Sequence, residues 1–207
     1  MLSKLHYISQ GKTPQDHLEN IQKACENGAE LVQLRLKEMA LDIILEIAEK
    51  AREITTQFKV KLIINDHYKI AKTVKADGVH LGKTDACPLI ARAYLGKQYL
   101  VGGTANTLED CKVLIEKEVD YIGLGPFQFT ETKKNLSPIL GIEGYKQLIG
   151  TLKKDTPIIA IGGICMEDVS AIINTGVYGI AVSGTITKDF TSISKFYEIL
   201  NSSEVKA

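Results

Sequence analysis

The second apolar run of the chain ends in polar side chains suited to binding an anion. The run Leu31–Arg35 contains Gln33 and Arg35, and Lys37 lies two residues beyond its end. Side chains alternate between the two faces of a strand, so Gln33 and Arg35 lie on the same face. A structural salt bridge is the ordinary explanation for an arginine in a mostly buried strand. An amide and two cations at one strand end also suit a phosphorylated ligand.

Two carboxylates follow the next two apolar runs. Asn65 and Asp66 end the third run, and Asp85 follows the fourth. Neighbouring strands lie roughly 5 Å apart, so carboxylates at their ends can share one hard cation. Mg2+ commonly binds one or two carboxylates together with phosphate oxygens of the substrate. These residues therefore predict a magnesium site, with Asp85 as a simple helix cap the alternative.

The loop after the sixth apolar run is long and polar. It contains Thr130, Thr132, Lys133 and Lys134. Long loops inside compact domains are usually functional or disordered. We expect this loop to be mobile in the free protein and to close over bound ligands, and a solvated connector is the alternative.

Glycine-rich turns follow the seventh and eighth runs. They contain Gly163 after the seventh run, and Ser183 and Gly184 after the eighth. Loops at these two positions of a parallel barrel often bind a phosphate through backbone N–H groups. With the predicted magnesium site, this phosphate site suggests displacement of diphosphate from one substrate by a second that carries a monophosphate.

Eight apolar runs alternate with segments of helical periodicity along the chain. The runs are Leu5–Ser9, Leu31–Arg35, Lys61–Asp66, Gly78–Gly82, Tyr99–Thr104, Tyr121–Pro126, Pro157–Gly163 and Gly179–Thr185. Alternating strands and helices predict parallel pairing through right-handed crossovers. Residues 1–207 are therefore expected to form one domain of the α/β class, a (β/α)8 TIM barrel. A doubly wound open sheet is less favoured, because strand one lacks the Gly-x-Gly-x-x-Gly signature.

Several local features refine this prediction. Thr13, which precedes a proline, and Thr107, with Asp110 three residues later, have the pattern of helix N-caps. The third unit has room for only a short helix. His80 lies between small neighbours in the fourth run and is expected to be a packed interior histidine rather than a catalytic one.

Composition excludes several classes of function. The 25 basic and 25 acidic residues balance, so no overall field favours nucleic acid or a membrane surface. The N-terminus has neither the long apolar segment nor the cleavage pattern of a signal peptide or membrane anchor. The four scattered cysteines are typical of reduced, mostly buried thiols in an intracellular, cytoplasmic protein. The four histidines lack zinc-ligand spacing.

The chain resembles the thiamine phosphate synthase (thiamine-phosphate pyrophosphorylase) family. The resemblance runs from Val32 to Ile186 and is carried by VQLRLK, LIINDHYKIA, ADGVHLGKTD, GLGPFQFTETKKNLSPILG, AIGGI and GIAVSGTI. It implies a TIM barrel that joins 4-amino-5-hydroxymethyl-2-methylpyrimidine diphosphate to 4-methyl-5-(2-phosphoethyl)thiazole. The products are thiamine phosphate and diphosphate, and the mechanism is dissociative.

The resemblance also implies a role for each matching residue. Mg2+ is held by Asp66 and Asp85. The diphosphate is bound by Arg35, Lys37, Asn65 and Lys133, of which Arg35, Lys37 and Lys133 stabilise it as it departs. The pyrimidine contacts Gln33 and Thr104, and Thr104 stands where serine is usual. The thiazole phosphate end contacts Thr130, Thr132, Gly163, Ser183 and Gly184.

Two alternatives carry different functions. A thiazole tautomerase of the same fold needs no metal and uses a histidine after strand five, where this chain has Thr104–Thr107 without a histidine. A non-catalytic barrel that binds phosphorylated ligands is the other alternative, and it is disfavoured by the charged residues Arg35, Asp66, Asp85 and Lys133. A homo-oligomer is possible, but no motif decides the oligomeric state.

Overall fold

A computed structural model describes residues 2–129, 138–152 and 155–202. Thr130, Thr132, Lys133 and Lys134 lie outside these ranges. The described residues form eight parallel strands that pair in chain order and close into one barrel, with β8 hydrogen-bonded to β1. The predicted (β/α)8 barrel is therefore confirmed, and the alternative of an open doubly wound sheet is wrong.

The strands are short; seven lie within a predicted apolar run, and β5 extends one residue beyond its run. They are β1 Leu5–Ile8, β2 Leu31–Leu34, β3 Lys61–Asn65, β4 Gly78–Leu81, β5 Leu100–Ala105, β6 Tyr121–Leu124, β7 Ile158–Ile161 and β8 Gly179–Val182. The described helices are α1 Pro14–Glu26, α2 Leu41–Phe58, α3 Tyr68–Thr73, α4 Pro88–Leu95, α5 Leu108–Glu116, α6 Gly141–Thr151, α7 Val169–Ile173, α8 Gly184–Lys188 and α9 Ser192–Ser202. A 3-10 turn, Met166–Asp168, precedes α7.

The local signals in the sequence act as expected at two helix starts. Thr13 and Thr107 both form capping boxes, because each accepts a hydrogen bond from the N–H group of an aspartate three residues later. That aspartate accepts in return from the backbone of the cap residue, so free N–H groups at the helix start are satisfied. The third unit contains the predicted short helix, α3, which has six residues.

The hydrophobic core has two parts, separated by the wall of the barrel. Between the strands and the helices lies a large cluster to which every strand contributes, including Val32, Leu62 and Ile122. A small second cluster, with Tyr121 and Ile159 among its members, fills part of the barrel interior. Both faces of each strand are thus covered, which explains why the strands are apolar without a clean alternation.

Two ion pairs of the same kind connect helices to strands at the end of the barrel where the strands begin. Arg92 on α4 donates to Asp120 (2.5 Å), which also accepts from the N–H of Val101 at 2.6 Å. Arg52 on α2 makes the same arrangement with Asp77 (2.6 Å), two units earlier. Each aspartate precedes one strand and accepts a hydrogen bond from the backbone of the strand before it. Each ion pair therefore holds two neighbouring strands together.

The cysteines only partly match the expectation of buried thiols. Cys25 and Cys111 are buried and Cys87 is half-buried, but Cys165 is exposed, and all four are free thiols. Cys165 follows β7 and is the residue directly before the 3-10 turn. Among the described helices, none is long and apolar enough to cross a membrane.

The repeated ion pair generates a prediction about stability. Asp120→Ala removes the acceptor of both Arg92 and the Val101 N–H and leaves partly buried donors unpaired. We expect the free energy of unfolding to fall by about 1–3 kcal/mol, as measured by urea denaturation. Glu143→Ala is the control, because Glu143 pairs with Lys146 on an exposed helix face, and its loss should cost under about 0.5 kcal/mol. Equal effects of the two substitutions would contradict the structural role of Asp120.

Candidate active site

The predicted metal and diphosphate residues meet where β2, β3 and β4 end. Lys37, which follows β2, forms an ion pair with Asp66, which follows β3. The side chain of Asp66 in turn hydrogen-bonds with that of Asp85, which follows β4. Three predicted residues that lie up to 48 positions apart (37 to 85) are therefore in direct contact.

Backbone geometry holds the two carboxylates in place. Asp66 has a left-handed backbone conformation (φ 64°), which aspartate tolerates better than most residues other than glycine. Asp85 accepts a hydrogen bond of 2.6 Å from the N–H of Gly82. Helix α4 has Cys87, not Asp85, as its N-cap residue, so the alternative of Asp85 as a helix cap is wrong.

The protonation of the two carboxyl groups is coupled. Burial raises the pKa of Asp66, and the hydrogen bond with Asp85 raises it further, against the opposing effect of Lys37. Burial also acts to raise the pKa of Asp85, but the hydrogen bonds from Asp66 and from the Gly82 N–H lower it overall. Two close carboxylates resist double ionisation unless a cation is present, so the pair is suited to a divalent metal.

Arg35 lies beside this pair and is positioned by residues that the sequence analysis did not identify. Burial lowers the pKa of Arg35, and the nearby Asp66 opposes that effect. The N–H of Arg35 donates to the hydroxyl of Ser9 at 3.1 Å, and that hydroxyl lies 2.8 Å from Nδ1 of His17. Ser9 and His17 therefore fix the backbone from which the guanidinium extends.

Asn65 has an unpaired donor. Its Nδ2 atom is the one buried side-chain nitrogen or oxygen in the described parts of the chain without a hydrogen-bond partner. An unpaired buried donor costs about 1–3 kcal/mol, and in a native structure it calls for an explanation such as a ligand. Asn65 directly precedes Asp66 in the chain, and its free N–H donor is suited to an acceptor such as a phosphate oxygen.

Gln33 and Thr104, the residues predicted to contact the pyrimidine, belong to one polar network. The hydroxyl of Thr104 lies 2.9 Å from Nε2 of His80. Nδ1 of His80 lies 3.2 Å from the hydroxyl of Tyr121, to which the side chain of Gln33 also hydrogen-bonds. His80 is buried in the interior, as expected. Tyr121 was not identified from the sequence, although the two glycines of the neighbouring β5 indicate room for a large side chain.

The two glycine-rich turns are joined to each other. The hydroxyl of Thr185 donates to the carbonyl oxygen of Ile164 at 2.9 Å, which links the turn after β8 to the turn after β7. Gly163 has a positive φ of 74°, and a Cβ there would lie 2.6 Å from the Phe129 carbonyl oxygen. Gly163 is therefore required for packing against the loop after β6 as well as for open access to the backbone.

Ser183 has a partner that the sequence did not predict. Its hydroxyl donates to Oε1 of Gln10, in the loop after β1, at 3.2 Å. Gly184 lies near the same oxygen, since a Cβ at that position would be 3.5 Å from it. Gln10 therefore borders the predicted phosphate site.

The described structure thus holds two groups of predicted residues. Arg35, Lys37, Asp66 and Asp85 form the first, and Gly163, Ser183 and Gly184 form the second at the turns after β7 and β8. The two groups lie at the same rim of the barrel, because all strands are parallel and these residues lie at or after the C-terminal ends of the strands. In residues 2–129, 138–152 and 155–202, no group of three or more His, Cys, Asp or Glu side chains is placed to hold a metal. Any cation at Asp66 and Asp85 would therefore need ligand oxygens from a substrate or water.

The sequence matches a known family over most of its length. The family model described as thiamine monophosphate synthase matches residues 5–186. A thiamine-phosphate synthase of Flavobacterium psychrophilum is 49% identical over 191 residues, which cover 91% of this chain and 93% of the relative. A thiamine-phosphate synthase of Phocaeicola vulgatus is 40% identical over 201 residues, covering 96% and 97% of the two chains.

Solved structures agree with the sequence comparison. A thiamine phosphate pyrophosphorylase from Pyrococcus furiosus superposes with a TM-score of 0.81 at 28% identity, and the match covers 99% of this chain and 97% of that one. A thiamine phosphate pyrophosphorylase from Bacteroides thetaiotaomicron, with a TM-score of 0.68 and 15% identity over 99% and 100% of the chains, shares the fold. The family predicted from the motifs is confirmed: this chain belongs to the thiamine monophosphate synthase family.

Proposed function

We propose that this chain is a thiamine-phosphate synthase, a transferase of thiamine biosynthesis. It joins the pyrimidine diphosphate to the thiazole phosphate and releases diphosphate. The observation that carries the proposal is the contact of Asp66 with both Asp85 and Lys37, beside the cation of Arg35. Two facing carboxylates among cations suit a metal-bound diphosphate. The curated relatives named above favour the synthase over the tautomerase of the same fold.

The oxygen donors that follow β3 and β4 are suited to Mg2+. Asp66 and Asp85 supply the oxygen ligands that Mg2+ prefers, and burial together with the contact between the two carboxyl groups raises the pKa of Asp66, an effect that a divalent cation would oppose. Bound Mg2+ would neutralise charge on the departing diphosphate. The ion pair of Lys37 with Asp66 would be released as metal binds, so that the ammonium group becomes available to the ligand.

The cationic side chains act on the leaving group. Arg35 is positioned by Ser9 and can bind two phosphate oxygens in a planar geometry. Lys37 adds a second positive charge, and the unpaired amide of Asn65 donates to a phosphate oxygen. These groups are in place before the C–O bond breaks, so they stabilise the developing charge without reorganisation.

The second substrate is bound at the turns after β7 and β8. Backbone N–H groups near Gly163 and Gly184, with the Ser183 hydroxyl, bind the thiazole phosphate. Gln33 and Thr104 orient the pyrimidine so that its electron-rich ring supports the cation formed as diphosphate leaves. The thiazole nitrogen then attacks the methylene carbon, and alignment of the two rings is the remaining contribution of the protein. No protein nucleophile takes part.

Thr130, Thr132 and Lys133 complete the proposal, although they lie outside the described residues. The threonines contact the thiazole phosphate end, and Lys133 contacts the diphosphate. Cytoplasmic location and a homo-oligomeric state stay predictions.

The metal assignment can be tested at each carboxylate. Asp66→Asn and Asp85→Asn keep the side-chain size, and asparagine tolerates the left-handed backbone of residue 66. We expect kcat to fall at least ~100-fold, because about 3 kcal/mol of charge stabilisation is lost. We also expect the Mg2+ concentration that gives half-maximal activity to rise. Thiamine phosphate formation is measured by mass spectrometry across a Mg2+ titration. Asp16→Asn, which changes an exposed carboxylate of a capping box, is the control. Near-parental turnover of Asp85→Asn at saturating Mg2+ would refute the assignment.

A second prediction concerns the turn after β7. Gly163→Ala places a Cβ against the Phe129 carbonyl oxygen and strains a backbone with φ 74°, so the phosphate turn must shift. We expect KM for the thiazole phosphate to rise about tenfold, while calorimetry shows little change in binding of the pyrimidine diphosphate. Gly150→Ala is the control, because nothing lies within 4 Å of a Cβ at that helical position. Equal weakening of both ligands would show that the two halves of the site are misassigned.

A third prediction concerns the loop after β6. Lys133→Ala should lower kcat about tenfold or more, because the departing diphosphate loses the positive charge of one lysine side chain. It should also raise the ratio of hydrolysed pyrimidine alcohol to thiamine phosphate, because water reaches the cation. Lys134→Ala is the control and should leave both quantities near the parental values. If Lys134→Ala is damaging and Lys133→Ala is silent, the assignment of the loop is displaced by one residue.

A further inference from the structure

The loop after β1 brings a side-chain amide to the predicted phosphate site. Because β1 is hydrogen-bonded to β8, with Tyr7 opposite Val182, the residues that follow the two strands lie side by side. Oε1 of Gln10 lies 3.2 Å from the hydroxyl oxygen of Ser183. It also lies 3.5 Å from the position that a Cβ of Gly184 would occupy. The Gln10 amide therefore borders the turn after β8 on the side of β1.

Contacts with α1 hold the backbone of Gln10 in place. The side-chain amide of Asn20 donates to the Gln10 carbonyl oxygen at 2.7 Å. The next residue, Gly11, lies directly against the helix, since a Cβ at that position would be 2.6 Å from Cβ of Asp16. The Gln10 side chain thus extends from a backbone that is fixed before any ligand binds. Such preorganisation lowers the entropic cost of binding a ligand.

Other hydrogen bonds hold the turn after β8, so its conformation does not depend on Gln10. The hydroxyl oxygens of Tyr7 and Thr187 lie 2.9 Å apart, and the Thr187 hydroxyl donates to the Ser183 carbonyl oxygen at 3.1 Å. Thr185 joins the same turn to the turn after β7. The contact between the side chains of Gln10 and Ser183 is exposed, and water competes for it. Its net contribution to stability is therefore small, and a ligand can reach both side chains.

The two side chains have hydrogen-bond donors to spare. The Gln10 amide nitrogen carries two protons and the Ser183 hydroxyl carries one. Their mutual contact uses a single proton, whichever of the two side chains donates it. Two protons are therefore left in either orientation of the amide. The oxygens of a phosphate monoester are acceptors, so a pair of side chains with spare donors is suited to bind that group.

We propose that Gln10 is a binding residue for the phosphate group of the thiazole substrate and acts together with Ser183. This inference rests on the proposed function for the identity of that substrate. The amide extends the phosphate site from the turns after β7 and β8 to the loop after β1. Because the amide is uncharged, it adds donors for the phosphate without adding a cation that would also attract the diphosphate of the other substrate.

Two substitutions of Gln10 separate ligand binding from a structural role. Gln10→Ala removes the amide, and we expect KM for the thiazole phosphate to rise about tenfold, the loss expected for one hydrogen bond to a charged group. Gln10→Glu keeps the size of the side chain and can still accept from Ser183, but its carboxylate repels the phosphate. For this variant we expect KM to rise about a hundredfold. KM for the pyrimidine diphosphate should stay within about threefold in both variants, because its charges are bound at the other group of residues.

The order of the two effects decides the proposal. If Gln10 only supported the turn, Gln10→Glu would be the milder change, because a glutamate of the same size keeps the contact with Ser183. A smaller rise in KM for Gln10→Glu than for Gln10→Ala would therefore overturn the proposal. An equal rise in KM for both substrates would overturn it as well. Thermal unfolding of both variants should occur near the parental temperature, because the contact is exposed.

Gln22 provides the matched control. Its amide donates to Glu26 at 2.9 Å on an exposed face of α1, so Gln22→Ala and Gln22→Glu make the same chemical changes away from the rim. Both should leave each KM near the parental value, and a tenfold effect of Gln22→Glu would refute a local role of residue 10. If the parental protein forms no thiamine phosphate, the proposed function fails. Calorimetric binding of the thiazole phosphate to the parental protein and to the Gln10 variants still decides whether Gln10 binds it.

Discussion

The hydrogen bonds between β8 and β1 close the sheet, and the remaining features of the molecule depend on that closure. Residues Leu5, His6 and Tyr7 pair with Ile180, Ala181 and Val182, so the sheet has no free edge. Because all eight strands are parallel, their C-terminal ends meet at one rim. Residues from position 33 to position 184 reach this rim although most are far apart in the sequence. Strands of four to six residues suffice, since each needs only to cross the barrel once.

Several structural features at this rim are energetically unfavourable in the absence of a ligand. Asp66 has a left-handed backbone, its carboxyl group faces that of Asp85, Arg35 is partly desolvated, and Asn65 has an unpaired amide. Each of these features lowers the stability of the fold, and the large core between the strands and the helices must compensate for it. Such costs are tolerated at functional sites, where a ligand supplies the missing charges and acceptors. A metal-bound diphosphate would supply both.

The barrel interior is unusually polar on the side of β4, β5 and β6. Aliphatic side chains dominate most barrel interiors, but here His80 and Tyr121 stack between glycines of neighbouring strands. Their polar atoms are paired with one another and with Gln33 and Thr104, so burial carries little penalty for unpaired groups. The network connects the packed interior of the barrel to Thr104 at the end of β5.

The sequence by itself determined the fold class and the family, and it predicted the chemical nature of the site. Apolar runs and cap residues such as Thr13 and Thr107 depend on neighbours close in the chain, so local patterns predict them. The order of charged residues after the strands identified Arg35 and Asp66 because parallel strands must share one rim. Only the tertiary structure decided which side chains touch. The partnership of Ser9 with Arg35, of Gln10 with Ser183, and of His80 with both Tyr121 and Thr104 depends on barrel closure and on space left by glycines in other strands. Such contacts join residues that are distant in the chain, and no local pattern specifies them.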